Sequence, residues 1–140
     1  CQALAVSQGQ SYGLILVDID YFKRVNDQFG HAVGDRVIQM VGKALSDKVR
    51  HYDRVVRWGG EEFLVILSNV SVNEALESAE RIRSAVAACE DAEAGRLTIS
   101  LGVGVWQSHE TEETLLHRTD CALYRAKERG RNQVALATGM

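Results

Sequence analysis

Apolar and polar positions alternate along this chain in two rhythms, and together they predict nine elements. Gly13–Asp20 (GLILVDID) is a short apolar run ending in carboxylates, the pattern of a buried strand. Tyr21–Gly30 reads as a short helix or helical turn stopped by Gly30. His31–Arg50 is helical by period, with Val33, Val37, Met40, Val41, Ala44 and Leu45 forming one apolar stripe. Arg54–Arg57 and Glu62–Leu67 are β-type runs flanking Gly59-Gly60, a hairpin signal because both glycines can take positive φ. Ser71-Val72-Asn73-Glu74 is a capping box before a helix carrying Ala75, Ala79, Ile82, Val86 and Cys89. Leu97–Trp106 reads as a strand with Ile99, Leu101, Val103 and Val105 on one face. Thr111–Arg129 is helical through Leu115, Leu116, Ala122, Leu123 and Ala126, and Gly130 is its stop. Asn132–Leu136 is the last strand. The order β-α-α-β-β-α-β-α-β predicts an α/β (α+β) fold. Its core is a ferredoxin-like βαββαβ unit with an antiparallel-rich central sheet flanked by helices.

Composition narrows the class without naming a function. The 140 residues are 46% hydrophobic and 25% charged, an ordinary globular mix that fits one domain over 1–140. The longest apolar run, Gly13–Val17, meets Asp18 at once and falls far short of the ~20 residues of a membrane span. A net charge of −3 argues against a general nucleic-acid binder. Cys1, Cys89 and Cys121 are odd in number and widely spaced, so neither a disulfide framework nor a metal knuckle follows, and reduced thiols of a cytoplasmic protein are expected. The chain opens on Cys1-Gln2-Ala3 with no initiator Met and no signal-like segment. It therefore reads as a domain of a longer protein, whose parent could carry a membrane anchor.

The acidic residues hold the first chemistry. Asp18 and Asp20 are two apart at a strand end and so point to one face. Glu61 and Glu62 follow the Gly-Gly turn. Carboxylates at two strand ends suit a hard cation such as Mg²⁺, which takes oxygen ligands and completes its shell with phosphate and water. They equally suit plain solvation of strand ends. An EF-hand is excluded, because it would need Gly at Lys23 and Glu at Phe29.

Four separated motifs resolve that choice. They are D-I-D-Y-F-K-R-V-N-D-Q-F-G-H-A-V-G-D (Asp18 to Asp35), R-W-G-G-E-E-F (Arg57 to Phe63), T-I-S-L-G-V-G-V (Thr98 to Val105) and D-C-A-L-Y-R-A-K-E-R-G-R-N (Asp120 to Asn132). In this order they closely resemble the GGDEF family of diguanylate cyclases, over essentially the whole stretch from Gly13 to Val134. The family usually opens with a segment like D-x-L-T-G-L-x-N-R-R. Nothing like it stands before Gly13, which reads as truncation.

The resemblance implies a nucleotide-cyclase or polymerase-palm-like domain that joins two GTP into cyclic di-GMP and releases two pyrophosphates. It implies Mg²⁺ (or Mn²⁺) held by Asp18, the Ile19 carbonyl and Glu61. Glu62 would assist both the metal and deprotonation of the attacking 3′-hydroxyl, as paired divalent ions suit in-line displacement at phosphorus. Gly59 and Gly60 form a tight turn whose missing Cβ atoms admit the nucleotide, and Gly60→Ala is expected to strain that turn. Asn26 and Asp35 read guanine, since a carboxylate can accept from its N1–H and N2–H₂ together. Lys127 and Arg131 hold the β- and γ-phosphates. Tyr21, Phe22 and Lys23 start a helical turn whose free N–H groups suit phosphate oxygens. Lys23 also stabilises the charged transition state, Phe22 is largely core, and His31 is read as a capping or packing residue.

By the same resemblance Arg50-His51-Tyr52-Asp53 is an R-x-x-D product-inhibition site. Arg50 and Asp53 contact cyclic di-GMP, and Arg81, or else Arg83, supplies a second arginine; a surface ion pair of little consequence is the plainer reading. Expected partners are GTP, cyclic di-GMP and a second copy of the chain in a catalytic homodimer, with no nucleic acid and no direct membrane contact. The rival is a weakly catalytic domain that binds GTP or cyclic di-GMP and only signals. The presence of both Glu61 and Glu62 favours the enzyme.

Overall fold

β1 (Tyr12–Ile19) is buried along its whole length in this computed structural model, which describes residues 12–138. The continuous apolar run has this outcome because the strand is paired on both edges and covered on both faces. It runs antiparallel to β3 (Glu62–Ser68) on one side and to β6 (Ile99–Val105) on the other. β2 (Arg54–Arg57) extends the sheet antiparallel to β3, and β7 (Val134–Leu136) closes the far edge parallel to β6. The order β2-β3-β1-β6-β7 is the expected ferredoxin-like arrangement with one added strand.

Helices α1 (Phe22–Phe29) and α2 (His31–Lys48) follow β1. Helix α3 (Val72–Ala88) follows β3, and α4 (Glu112–Glu128) lies between β6 and β7. Period-2 alternation divides the sheet residues between two apolar layers. Ile15, Val17, Phe63, Val65, Leu101 and Val103 pack with Val37, Val41, Leu45, Ala79 and Ile82 of α2 and α3. Leu14, Leu16 and Leu64 point the other way, onto Leu115 and Leu123 of α4. Helix α4 sits so close to β6 that a Cβ on Gly102 would lie 2.4 Å from the Leu123 nitrogen and the Thr119 oxygen. The anticipated box caps α3: Glu74 N–H donates to Ser71 Oγ at 3.1 Å and Ser71 N–H to Glu74 Oε1 at 2.9 Å.

Two departures from the sequence reading have local causes. The last strand begins at Val134 rather than Asn132, because Arg131 and Asn132 adopt left-handed φ of 65° and 49° and cannot join a ladder. A small unanticipated hairpin, β4 (Glu90–Asp91) with β5 (Gly95–Arg96), precedes β6. Asp91 organises it by accepting from the Glu93 and Ala94 N–H groups at 2.9 Å and from Arg36 of α2 at 3.0 Å. Cys89 and Cys121 are free thiols, and Cys1 lies outside the described residues. Among the described residues no helix is long and apolar enough to cross a membrane.

Candidate active site

The pleat that sends Leu14 and Leu16 toward α4 sends Asp18 there too, and Asp18 is 4% exposed. Its register partner on β3 is Glu62. Lys127, in the last turn of α4, forms an ion pair with Asp18 Oδ2. Lys127, expected on phosphate, is thus seated on the carboxylate expected to hold the metal. Glu61 is tied to the same strand end, its carbonyl accepting from Ile19 N–H at 3.2 Å. Burial, and then the Asp18 charge, push the Glu61 and Glu62 carboxyls above their ordinary range, while Lys127 pulls the other way.

Asp18, Ile19, Glu61, Lys23, Lys127 and Arg131 share the lining of a cleft of about 150 Å³. Among the described residues no three His, Cys, Asp or Glu side chains are arranged to hold a metal ion by themselves. Glu61 and Glu62 nevertheless both lie within side-chain reach of Asp18, with Glu61 rather than Glu62 lining the cleft. The cleft itself presents Asp18 and Glu61, with Asp20 and the strand-end residue Ile19 beside them. Oxygen donors carrying an excess of negative charge fit a hard divalent cation that takes one or two carboxylates and completes its shell from phosphate and water.

The hairpin differs from expectation. The Trp58 and Gly59 N–H groups both donate to the Glu62 carbonyl, at 2.8 and 3.2 Å. Arg57 clamps the loop by donating to the carbonyls of Gly59 (3.2 Å) and Gly60 (2.7 Å). Neither glycine has a left-handed φ, and a Cβ on Gly60 would meet nothing within 4 Å. The turn does not need glycine for its backbone, so the strain expected of Gly60→Ala is corrected. What the missing Cβ leaves is open space.

On the other side of Glu61 a second cleft of about 380 Å³ is lined by Phe22, Lys23, Asn26, His31, Asp35, Ile38, Arg57, Gly60 and Glu61. Helices α1 and α2 bring Asn26 and Asp35 together here, nine residues apart in sequence. Asn26 Oδ1 is buried without a hydrogen-bond partner, and a Cβ on Gly34 would lie 2.0 Å from it. A side chain at Gly34 would force the Asn26 amide to turn away, so the glycine leaves that amide its place; its signal was a glycine inside a helix, which costs about 1 kcal/mol relative to alanine and calls for a packing reason. His31, read as capping or packing, is exposed on the rim. Arg57 was missed because its role runs through backbone carbonyls that no motif displays. Phe22 is core as expected and lines both clefts.

The remaining residues divide by their partners. Lys23 has a 90% exposed side chain, 3.5 Å from Asp27 one helical turn on. The first bond inside α1 runs from Arg24 N–H to Tyr21 O, which leaves the Phe22 and Lys23 N–H groups ahead of it. Asp20 lines the same cleft as Asp18 but has different partners: it accepts from the Thr98 and Ser100 hydroxyls and the Asn132 N–H.

In the R-x-x-D segment the Asp53 side chain is 1% exposed. It accepts from Arg50 through Nε (3.0 Å) and Nη2 (3.1 Å) and from the Ser68 N–H (3.1 Å), while Arg50 also donates to the Ser68 carbonyl. The pair is therefore part of the fold, not a loose surface contact. Arg81 reaches the Lys48 carbonyl at 3.3 Å, beside that segment. Arg83 turns away to Glu80 and Asn132.

This arrangement has relatives. Residues 2–133 match the family model described as diguanylate cyclase, GGDEF domain. The chain is similar to diguanylate cyclase DgcM of Escherichia coli K12, 43% identical over 97% of this chain and 33% of that protein. It is also similar to diguanylate cyclase A of Treponema denticola, 39% identical over 91% of this chain and 36% of that protein. It spans about a third of the length of these curated relatives. Among solved structures it resembles the active GGEEF domain of a diguanylate cyclase from Vibrio cholerae, with a TM-score of 0.92 and 33% identity, covering 99% of this chain and 90% of that one. It likewise resembles the GGDEF domain of DgcB from Caulobacter crescentus in complex with c-di-GMP, with a TM-score of 0.91 and 32% identity, covering 97% and 83%. With a family match over nearly the whole chain and relatives this similar in sequence and fold, the chain belongs to the GGDEF diguanylate cyclase domain family.

Proposed function

We propose that this domain, spanning residues 1–140, condenses two GTP into cyclic di-GMP and two pyrophosphates, each of two copies presenting one GTP to the other. The observation that carries the reading is that the carboxylate cleft and the Asn26–Asp35 cleft share Phe22, Lys23 and Glu61. One nucleotide can therefore lie with its base toward α1 and α2 and its triphosphate toward Asp18.

Asp35 accepts from guanine N1–H and N2–H₂, and Asn26, with an unpartnered buried amide oxygen, completes the edge. The open space over Gly60 admits the α-phosphate. Arg131 and Lys127 hold the terminal phosphates, the latter leaving Asp18. Asp18, Glu61 and the Ile19 carbonyl would hold Mg²⁺ or Mn²⁺, which when bound polarises the phosphoryl oxygens and neutralises developing charge. Glu62 carries the proton from the attacking 3′-hydroxyl, and Lys23 steadies charge on the phosphate. The 3′-oxygen of each GTP bonds the α-phosphorus of the other, and each step expels pyrophosphate.

Cyclic di-GMP binds back at Arg50 and Asp53 with Arg81. The DgcB structure holds c-di-GMP, which supports a product site in a relative. A GTP-consuming reaction sets the domain in the cytoplasm. Incubation with GTP and Mg²⁺ followed by mass spectrometry tests the reading: cyclic di-GMP is the expected product, and bound but unchanged GTP would favour the regulatory alternative.

A further inference from the structure

Asp20 is 3% exposed, and its side-chain hydrogen bonds come from neutral donors: the Thr98 hydroxyl at 2.7 Å, the Ser100 hydroxyl at 2.6 Å and the Asn132 N–H at 3.0 Å. Two of these donors belong to β6 and its approach. The third lies across the cleft, in the loop after α4. In that loop Arg131 and Asn132 are consecutive non-glycine residues with left-handed φ. Such backbone persists only where its surroundings over-determine it. Here Asn132 is gripped twice, by Asp20 at its N–H and by Arg83 Nη1 at its Oδ1 (2.8 Å). Arg131, one residue earlier, lies over Tyr21 at 4.8 Å and lines the cleft with Asp18 and Glu61.

We propose that Asp20 is a positioning residue: by fixing the Asn132 N–H it holds Arg131 in the left-handed conformation that sets its guanidinium at the phosphate end of the cleft. This rests on the reading of Arg131 as a ligand of the β- and γ-phosphates. It separates Asp20 from Asp18 despite their shared spacing, since the Asp20 oxygens are already engaged by donors.

Calorimetry with a non-hydrolysable GTP analogue and with GMP, both with Mg²⁺, tests it on the whole chain. Asp20→Ala is expected to weaken the GTP analogue about tenfold, the scale of one charged hydrogen bond, and to leave GMP unchanged. In an Arg131→Ala background it should cost nothing further. Asp20→Asn should bind like the parent, because its amide oxygen can keep Thr98 and Asn132 while its NH₂ donates to the Ser100 hydroxyl. Thr98→Val, which removes one anchor, should show a smaller selective loss that also vanishes with Arg131→Ala, and it decides the matter if Asp20→Ala does not fold. Equal losses for both ligands, additive losses with Arg131→Ala, unchanged binding by Thr98→Val, or an Asn variant as weak as the Ala variant would each overturn the assignment. If Arg131→Ala alone binds the GTP analogue as the parent does, the phosphate reading of Arg131 has failed and the positioning role falls with it.

Discussion

Asp18 on β1 stands directly opposite Glu62 on β3, and Lys127 of α4 is ion-paired to Asp18. Like charges directly across a ladder destabilise a sheet. The end of this sheet therefore carries an electrostatic cost opposed by Lys127, and burial first, then the Asp18 charge, hold the Glu61 and Glu62 carboxyls above their ordinary range.

Glu62→Gln should raise stability and abolish most turnover. Glu62 holds its proton more tightly when folded than when unfolded, so the folded chain binds more protons just above its ordinary value of 4.5. Stability contributed by this group falls as pH rises through that window. The glutamine removes the loss, and a gain of about 0.5–1 kcal/mol is expected near neutrality. The gain should disappear below the carboxylate range. Thermal melts at the two pH values check this, and turnover at the parent rate would remove Glu62 from proton transfer.

Asp35→Ala should weaken GTP by about 1–3 kcal/mol, the size of a lost charged hydrogen bond. ATP affinity should stay low and nearly unchanged, because adenine offers no matching donor pair. Equal losses for both nucleotides in calorimetry would take guanine reading away from Asp35.

Gly60→Ala should fold normally, with stability within about 0.5 kcal/mol of the parent, because its φ is not left-handed and its Cβ would stand in open space. GTP binding should nonetheless weaken by about 1–3 kcal/mol, the usual cost of overfilling a packed site. A destabilised protein with intact GTP affinity would reverse the assignment.

Arg50→Ala is expected to lower stability by about 3–5 kcal/mol, because it strands the buried Asp53 carboxylate. It therefore cannot isolate product inhibition. Arg81→Ala can, since Arg81 is exposed and donates only at 3.2–3.3 Å to Ser78 and the Lys48 carbonyl. Cyclic di-GMP affinity should fall in Arg81→Ala with the melting temperature unchanged. Equal affinity for the variant and the parent would remove Arg81 from the product site.

The sheet and helices were legible because β1, β3, β6 and α2–α4 each carry one dominant period, and Ser71 with Glu74 marks a helix start on its own. The acids Asp18, Glu61 and Glu62 were legible as a group because strand ends concentrate them. What the sequence did not display are relations across elements. Nothing in Lys127 says that it meets Asp18, 109 residues away. Arg50 and Asp53 looked like surface residues until Ser68 enclosed them. Asp18 and Asp20 share a spacing yet not a role, because Thr98, Ser100 and Asn132 converge only on Asp20. The hairpin at Asp91 escaped because its strands are two residues each and are held by side-chain bonds rather than by an apolar pattern.

The proposed reaction joins two copies of one nucleotide site to make one cyclic product. It is tested most directly by following GTP, pyrophosphate and cyclic di-GMP together across a dilution series of the protein with Mg²⁺. One cyclic di-GMP and two pyrophosphates for every two GTP are expected, with a rate per chain that rises with protein concentration. GTP left intact, GTP cleaved to GDP and phosphate, or a rate per chain that stays constant while the protein remains a monomer would contradict it.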